Sequence, residues 1–396
     1  MMRPITSRVS KKVLLYSKKA LGLLTLTLLL FSSSLILNHT AEAQQLVCPS
    51  QFIEQITDET SGDSRETSIN ADGTRIAFRS NADINGGNPE GNQEIYLFDT
   101  TTGIFTQITD EASGNSRFPS INADGTRIAF ESNADINGGN PEGNIEIYLF
   151  DTTTGIFTQI TDEMAGVSRF PSINADGARI AFQSTANLNS GNPEGNQEIY
   201  LFNTTTGIIS QITDEMAGAS REPSINADGT RIAFPSTANL NSGNPEGNGE
   251  IYLFDTTTGI FTQITDETAG DSRGLSINGD GNRIAFRSDA DINEGNPEGN
   301  IEIYLFDTTT GITTQITDET LGDSTGPSIN GDGTRIAFRS TADINGGNPE
   351  GNGEIYLAAC IEPANVPTLS QWGLIAMAGL LGIVGFIVMR RRKVTA

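Results

Sequence analysis

Residues 68–79 read SINADGTRIAFR, and close copies begin at Ser120, Ser172, Ser224, Ser276 and Ser328. A second marker, QITDE, begins at residues 55, 107, 159, 211, 263 and 315, a constant step of 52 residues. A constant period of this length is typical of proteins in which each repeat is one structural unit packed against its neighbours. The sequence therefore predicts six equivalent units in one array.

Each unit has the pattern of four short strands separated by turns. In the first unit we predict strands at 66–69, 75–80, 94–98 and 104–108, each bounded by turn-forming residues. Asp72-Gly73 closes the first hairpin, because Gly tolerates positive φ. Small Ala77 lies on the opposite strand face from Phe78 and allows a neighbouring sheet to approach. The pattern predicts an all-β fold, a six-bladed β-propeller of four-stranded antiparallel blades over 44–361.

The repeat also resembles the TolB-like, WD-like propeller repeat. The motifs that carry the resemblance are Asp-Gly at 72–73, Arg-Ile-Ala-Phe-x-Ser at 75–80, Glu-Ile-Tyr-Leu at 94–97 and Gln-Ile-Thr at 107–109. Similar motifs recur six times between residues 51 and 357. The resemblance implies six blades and a role mainly in protein interaction or as an accessory domain.

The two ends of the array predict how the ring closes. The sixth unit stops after Glu354-Ile355-Tyr356-Leu357, whereas residues 51–57 read as a fourth strand without a blade of its own. We predict that strand 51–57 completes blade six. Cys48 and Cys360 fall at the same position of the repeat, and we predict a disulfide between them, with free thiols as the alternative.

The N-terminus has the three parts of a secretory signal. A basic region precedes the apolar segment Leu21–Leu37, and Ala41-Glu42-Ala43 is a small-x-small cleavage site. We predict a signal peptide over 1–43, removed by signal peptidase so that Gln44 becomes the first residue. An uncleaved membrane anchor is the alternative.

The C-terminus predicts a linker and sorting motif at 362–373, a transmembrane helix at 374–389 and a basic cytoplasmic tail at 390–396. This end resembles the IPTL-CTERM sorting signal of Gram-negative bacteria. The resemblance implies an exosortase-type enzyme, removal of the helix and display of the ectodomain at the cell envelope or surface. A permanent single-pass membrane anchor is the alternative. The residues assigned to the signal are Val366, Pro367, Thr368, Leu369, Trp372, Gly373, Arg390, Arg391 and Arg392.

The charge distribution excludes nucleic acid as a partner. The whole chain has a formal net charge of -25, and the segment from Gln45 to Met389 has 14 arginines, no lysine and 48 acidic residues. Such a segment repels phosphate and has no basic stripe to bind it.

The longer loops predict the ligand face of the propeller. The connection between blades at 58–65 and the connection inside a blade at 81–93 emerge on the same side of an antiparallel sheet, and long loops commonly carry binding residues. The candidate residues are Asp58, Asp63, Arg65, Asp83, Asn85 and Glu90.

Two kinds of ligand are conceivable on this face. The oxygens of Asp83, Asn85 and Glu90 make Ca²⁺ the one candidate cofactor, with turn formation as the competing explanation. Asn187 and Asn239 replace Asp83 in blades three and four. The arginine at position 65 recurs in four later blades and could hold an anion or pair with adjacent acids, but Thr325 replaces it in blade six.

The sequence provides no conventional catalytic set. Its one histidine, His39, lies in the signal region, so no Ser-His-Asp triad or histidine-based metal site can form. We therefore expect a non-enzymatic binding or structural scaffold outside the cytoplasm, with an unknown protein or glycan ligand at the envelope. The alternative is a carboxylate-based hydrolase or lyase, which unequal residues around the channel mouth would favour.

Overall fold

A computed structural model of the chain describes residues 56–58, 61–346 and 348–359. The chain divides into two compact units, 1–58 and 59–396. In the first unit, Ile56–Asp58 are described and form no strand, and the rest of the predicted strand 51–57 lies outside the described residues. Also outside them are the signal peptide, Cys48, Cys360, the sorting motif and the predicted helix 374–389. Within the described ranges, no helix is long and apolar enough to cross a membrane.

The second unit is a six-bladed β-propeller of antiparallel sheets, as the repeat predicted. Five sheets have four strands in chain order, and the sixth has three within the described residues. The strands are β1 (Ser64–Ile69), β2 (Arg75–Ser80), β3 (Glu94–Asp99), β4 (Ile104–Gln107), β5 (Ser116–Ile121), β6 (Arg127–Ser132), β7 (Glu146–Asp151), β8 (Ile156–Gln159), β9 (Ser168–Ile173), β10 (Arg179–Ser184), β11 (Glu198–Asn203), β12 (Ile208–Gln211), β13 (Ser224–Ile225), β14 (Arg231–Ser236), β15 (Glu250–Asp255), β16 (Ile260–Gln263), β17 (Ser272–Ile277), β18 (Arg283–Ser288), β19 (Glu302–Asp307), β20 (Ile312–Gln315), β21 (Ser324–Ile329), β22 (Arg335–Ser340) and β23 (Glu354–Ala359).

Each blade also contains a single 3-10 turn between its second and third strands. These turns are Ile84–Gly86, Ile136–Gly138, Leu188–Ser190, Leu240–Ser242, Ile292–Glu294 and Ile344–Gly346.

The stretch that opens each repeat forms the first hairpin of its blade and bonds to the next blade. Asn70 Oδ1 accepts the backbone N–H of Arg75 at 2.9 Å, and Gly73 takes a φ of 75° in the turn. The Arg75 guanidinium donates to the carbonyl of Gly125 at 2.8 Å, and Ser68 Oγ accepts the Ile121 N–H at 3.1 Å, both in the second blade. The repeated residues therefore have architectural roles.

The core lies between neighbouring blades. Ala77, Ile95 and Leu97 of the first blade pack against Ile128 and Phe130 of the second, and equivalent clusters recur around the array. Ala77 is fully buried. Ala77 therefore allows the neighbouring sheet to approach closely, as predicted.

The faces of blades one and six that lie at the two ends of the array retain exposed apolar side chains. Ile69 is 60% exposed, although its counterpart Ile121 is 7% exposed. On β23, Ile355 is 75% and Leu357 55% exposed, whereas the corresponding Ile95 is fully buried. These are the surfaces that the predicted closure and fourth strand would cover, and that closure stays a prediction.

Candidate functional site at the central cavity and the long loops

The two long connections of each blade lie on one face, as predicted, and they bond to each other. The Asn81 N–H donates to the Asp63 carbonyl at 3.2 Å, and the Asp63 N–H donates to Asn81 Oδ1 at 2.6 Å. Gly62, with a φ of 93°, allows this close approach, because an added Cβ would lie 2.7 Å from Ala82 Cα. We refer to this side of the propeller as the long-loop face.

Three of the six predicted ligand residues make structural contacts within the long loops. Arg65 pairs with Asp63 at 2.9 Å, although both side chains are exposed. Asp83 Oδ1 accepts the Asn88 N–H at 2.8 Å and so fixes its own turn. Asn85 is an exposed residue with a φ of 59° inside the 3-10 turn. Pairing and turn formation therefore account for Asp63, Arg65 and Asp83.

The remaining predicted residues are Glu90 and Asp58. Glu90 is exposed in the following turn, and Asp58 is exposed in the separate N-terminal unit. Within the described ranges, no group of three or more His, Cys, Asp or Glu side chains is placed to hold a metal ion. In blades three and four, Asn187 and Asn239 accept the same backbone N–H as Asp83 at 2.8 Å. A neutral amide thus performs this structural role as well as a carboxylate does.

A buried glutamate joins the long loop to the connection that follows the fourth strand in blades one, four and five. The Glu94 side chain is 2% exposed, and its two oxygens accept bonds from the Asn92 amide and the Thr109 hydroxyl. The same Asn92 amide donates to the Glu111 carbonyl at 2.7 Å. Burial raises the pKa of Glu94 from its ordinary value of 4.5 to about 7, and the two donors only partly offset this effect.

In five of the six blades the first strand contains a bulge beside the centre of the propeller, and in blade four the equivalent residue precedes the short strand β13. In blade one the register shifts between Arg65 and Ser68, and Glu66 takes a φ of 56°. Such a left-handed conformation is costly for residues other than Gly. The residue at this position differs from blade to blade, in order Glu66, Phe118, Phe170, Glu222, Gly274 and Gly326, and all six have positive φ.

Four of these residues, Glu66, Phe118, Phe170 and Glu222, line a central cavity of about 700 Å³. The rings of Phe118 and Phe170 pack together with centroids 4.5 Å apart. Glu66 and Glu222 line the same cavity from blades one and four, and Leu275 lines it from blade five. The cavity wall is thus apolar on one side and carries carboxylates in two separate blades.

The bulges are held by side chains from neighbouring strands. Glu66 pairs with Arg79 at 3.2 Å and accepts the Phe118 N–H at 3.0 Å. Glu131, which is 1% exposed, accepts the Phe170 N–H at 3.1 Å. Burial raises the pKa of Glu131 even though that N–H and nearby arginines favour its charged form.

The divergent bulge residues are the part of the site that the sequence analysis missed. They stand directly after the position of Arg65 and two residues before a Ser-Ile-Asn segment that is identical in all six copies. An alignment of the six copies at this one column, read for variation instead of sameness, would have found them.

Comparison with known proteins supports both resemblances, that of the repeat and that of the C-terminal segment. A protein described as a TolB homolog, from Chlorobium luteolum, is 30% identical over 187 residues, which are 47% of this chain and 37% of the relative. The match thus spans little more than a third of that relative's length. Residues 364–392 match the family model described as the IPTL-CTERM motif.

Solved structures with a similar fold include enzymes. An oligogalacturonate lyase from Vibrio parahaemolyticus aligns over 78% of this chain and 80% of its own, with 15% identity and a TM-score of 0.55. A prolyl endopeptidase aligns over 76% of this chain and 41% of its own, with 11% identity and a TM-score of 0.52. At such identities the likeness concerns the fold alone.

The fold and the cavity define a β-propeller whose repeat sequence is similar to that of TolB. The chain therefore resembles TolB-like propellers and carries an IPTL-CTERM motif at its C-terminus, as its sequence predicted. These features fit an extracytoplasmic role.

Proposed function

We propose that the protein is a non-catalytic binding module displayed at the cell envelope, and that it captures a protein partner at the central cavity. The observation that carries this proposal is the variation at the bulge. Four of its six positions hold Glu or Phe in a left-handed conformation, whereas the Ser-Ile-Asn that begins two residues later is identical in all six copies. Backbone strain of roughly 1–2 kcal/mol at each such residue persists only where the surrounding structure holds it, and it concentrates at functional sites.

The cavity chemistry suits a protein segment with apolar and basic groups. Phe118 and Phe170 provide a paired aromatic surface, the type of residue that anchors protein interfaces. Glu66 and Glu222 provide negative charge in the same cavity, although Glu66 is partly neutralised by Arg79. A glycan stacked on the two rings would be the competing ligand.

Replacement of both aromatic residues by Gly tests the proposal with little risk to the fold. Blades five and six already have Gly274 and Gly326 at this position. We expect Phe118→Gly/Phe170→Gly to fold and to lose the partner captured from envelope fractions. Ile104→Ala, on an exposed side chain of β4, is the matched control and should retain the partner. Equal capture by all three proteins would contradict the proposal.

Export and sorting at the two ends complete the proposed function. The motif match at 364–392 supports processing by an exosortase-type enzyme, and the segment 1–43 supports removal by signal peptidase. Mass spectrometry of the protein recovered from its native envelope should show an N-terminus at Gln44 and no segment 374–389. A recovered chain that retains its apolar tail would favour a permanent anchor.

The uneven cavity also keeps a carboxylate-based hydrolase or lyase as a second candidate. Paired carboxylates act on one bond only when they lie within about 10 Å of each other. The two candidate carboxylates, Glu66 and Glu222, come from blades three positions apart, and Glu66 is already bound by Arg79 and the Phe118 amide. Depolymerisation of an envelope polysaccharide that is abolished by Glu222→Gln would establish the enzyme and displace the scaffold.

A further inference from the structure

A second cavity, of about 170 Å³, lies where blade four meets the first strand of blade five. Its wall includes two arginines, Arg221 and Arg273, and two acids, Glu222 and Asp271. Pro235 and Gly249 form other parts of the wall. Apart from Glu222, these residues do not line the central cavity.

The same place in blade two shows why blade four is open. There the corresponding space is about 40 Å³ and is lined by Asn115, Arg117, Glu131, Asn133 and Ile145. In the 52-residue repeat, Glu131 corresponds to Pro235 and Ile145 to Gly249. Two bulky side chains are thus replaced by a compact ring and a hydrogen atom, and the larger cavity follows.

The substitutions also change the electrostatics of the arginines. In blade two, the buried carboxylate of Glu131 interacts with Arg117 and Arg169. Pro235 supplies no such charge beside Arg221, which is exposed. Arg273 lies 3.6 Å from Asp271, with its side chain 46% exposed. Blade four therefore presents two accessible guanidinium groups at a cavity that side chains largely fill in blade two.

We propose that this cavity binds a small carboxylate that also carries hydroxyl groups. A guanidinium group recognises a carboxylate through two parallel hydrogen bonds. Glu222 and Asp271 can accept bonds from ligand hydroxyls, and their negative charge disfavours a dianionic phosphate. The Pro235 ring offers an apolar surface to ligand C–H groups. This site goes beyond the proposed protein-binding role and does not depend on it.

Calorimetric and ligand-detected NMR titrations of the full chain with D-glucuronate test the site. Glucose, acetate and inorganic phosphate serve as probes that each lack one part of the expected chemistry. We expect glucuronate to bind with millimolar or better affinity and each of the other three to bind more weakly. Absence of glucuronate binding, or equal binding of glucose or phosphate, would overturn the proposal.

Gly249→Gln separates the site from general stability. Gln93 and Gln197 occupy this position in blades one and three, and Gly249 itself has an ordinary φ, so the variant should fold. We expect it to abolish glucuronate binding by filling the cavity. Arg221→Gln should weaken binding at least about tenfold through loss of one charged partner. Arg65→Gln is the control. Its blade has Arg79 and Gln93 where blade four has Pro235 and Gly249, so this variant should bind glucuronate as the parent does.

Unchanged binding in both blade-four variants would show that glucuronate binds elsewhere and would end the assignment. Capture of the protein partner by these variants gives an independent readout, because the Phe118 and Phe170 rings are untouched. The Phe118→Gly/Phe170→Gly variant should lose partner capture and still bind glucuronate. That result would show that the two sites are independent.

Discussion

The buried carboxylate of Glu94 makes the stability of the propeller depend on pH in an unusual direction. Its pKa rises from 4.5 to about 7 in the folded protein, so the folded state holds a proton that the unfolded state releases. The stability that this group contributes is fully present below pH 4.5 and is lost as the pH rises through about 7. We therefore expect the protein to be more stable at pH 5 than at pH 8.

Glu94→Gln isolates the effect, because Gln keeps the shape of the side chain and cannot ionise. A change in pKa from 4.5 to about 7 corresponds to about 3.4 kcal/mol at 1.36 kcal/mol per tenfold change in proton affinity. Nearby solvent and the Asn92 and Thr109 donors screen the charge, so we expect roughly half, about 2 kcal/mol. At pH 8 the variant avoids this cost. At pH 5 the unfolded carboxyl is already mostly ionised, so the variant gains about 0.5 kcal/mol but loses about 1 kcal/mol from its altered bond to the Thr109 hydroxyl.

Urea denaturation at pH 5 and pH 8 measures the expected change of sign. The variant should be less stable than the parent at pH 5 and more stable at pH 8, and the difference in free energy of unfolding between variant and parent should change by about 1.5 kcal/mol between the two pH values. Glu90→Gln, an exposed residue of the same loop, is the control and should show no such difference. The same stability difference at both pH values for Glu94→Gln would refute the reasoning. Similar carboxylates are repeated in blades two to five, where burial also raises the pKa of Glu146, Glu198, Glu250 and Glu302.

Three further substitutions test other parts of the structure. Asp83→Asn should change the free energy of unfolding by less than about 0.5 kcal/mol in urea, because Asn187 makes the same bond, whereas Asp83→Ala should cost about 1 kcal/mol. Gly114→Ala should lower stability by more than about 2 kcal/mol in the same assay, since its Cβ would lie 2.5 Å from Ala134 Cα at a φ of 100°; a smaller loss would mean that the loops separate easily.

The repeat predicted the fold closely because both the turn residues and the buried strand residues recur in every unit. The strand predicted at 75–80 is β2 without change, and the strand predicted at 94–98 ends one residue later, at Asp99. The first strand begins two residues earlier than predicted, at Ser64, because the bulge lets it continue past Glu66. The alternation of apolar residues did not predict the bulge, because the extra residue of a bulge shifts which side chains share a face of the strand.

The candidate site was predicted less well because its chemistry lies in exceptions to the repeat. The acidic loop residues were prominent in the sequence, yet Asp83 holds its own turn and Asp63 pairs with Arg65. Pro235 shortens the first strand of its blade to Ser224–Ile225, because proline has no N–H to donate to the ladder. Its effect on the neighbouring cavity depends on which side chains it faces in three dimensions, and the sequence alone does not state that.

The hydrogen bond between Ser68 and Ile121 has a consequence for the evolution of the protein. The same bond joins Ser120 to Ile173 and Ser172 to Ile225, so successive blades meet through interchangeable surfaces. A gene that gains, loses or exchanges one 52-residue unit by recombination would still encode faces that fit each other. Such an exchange would reorder the bulge residues around the centre, so new ligand patterns could arise without a new fold.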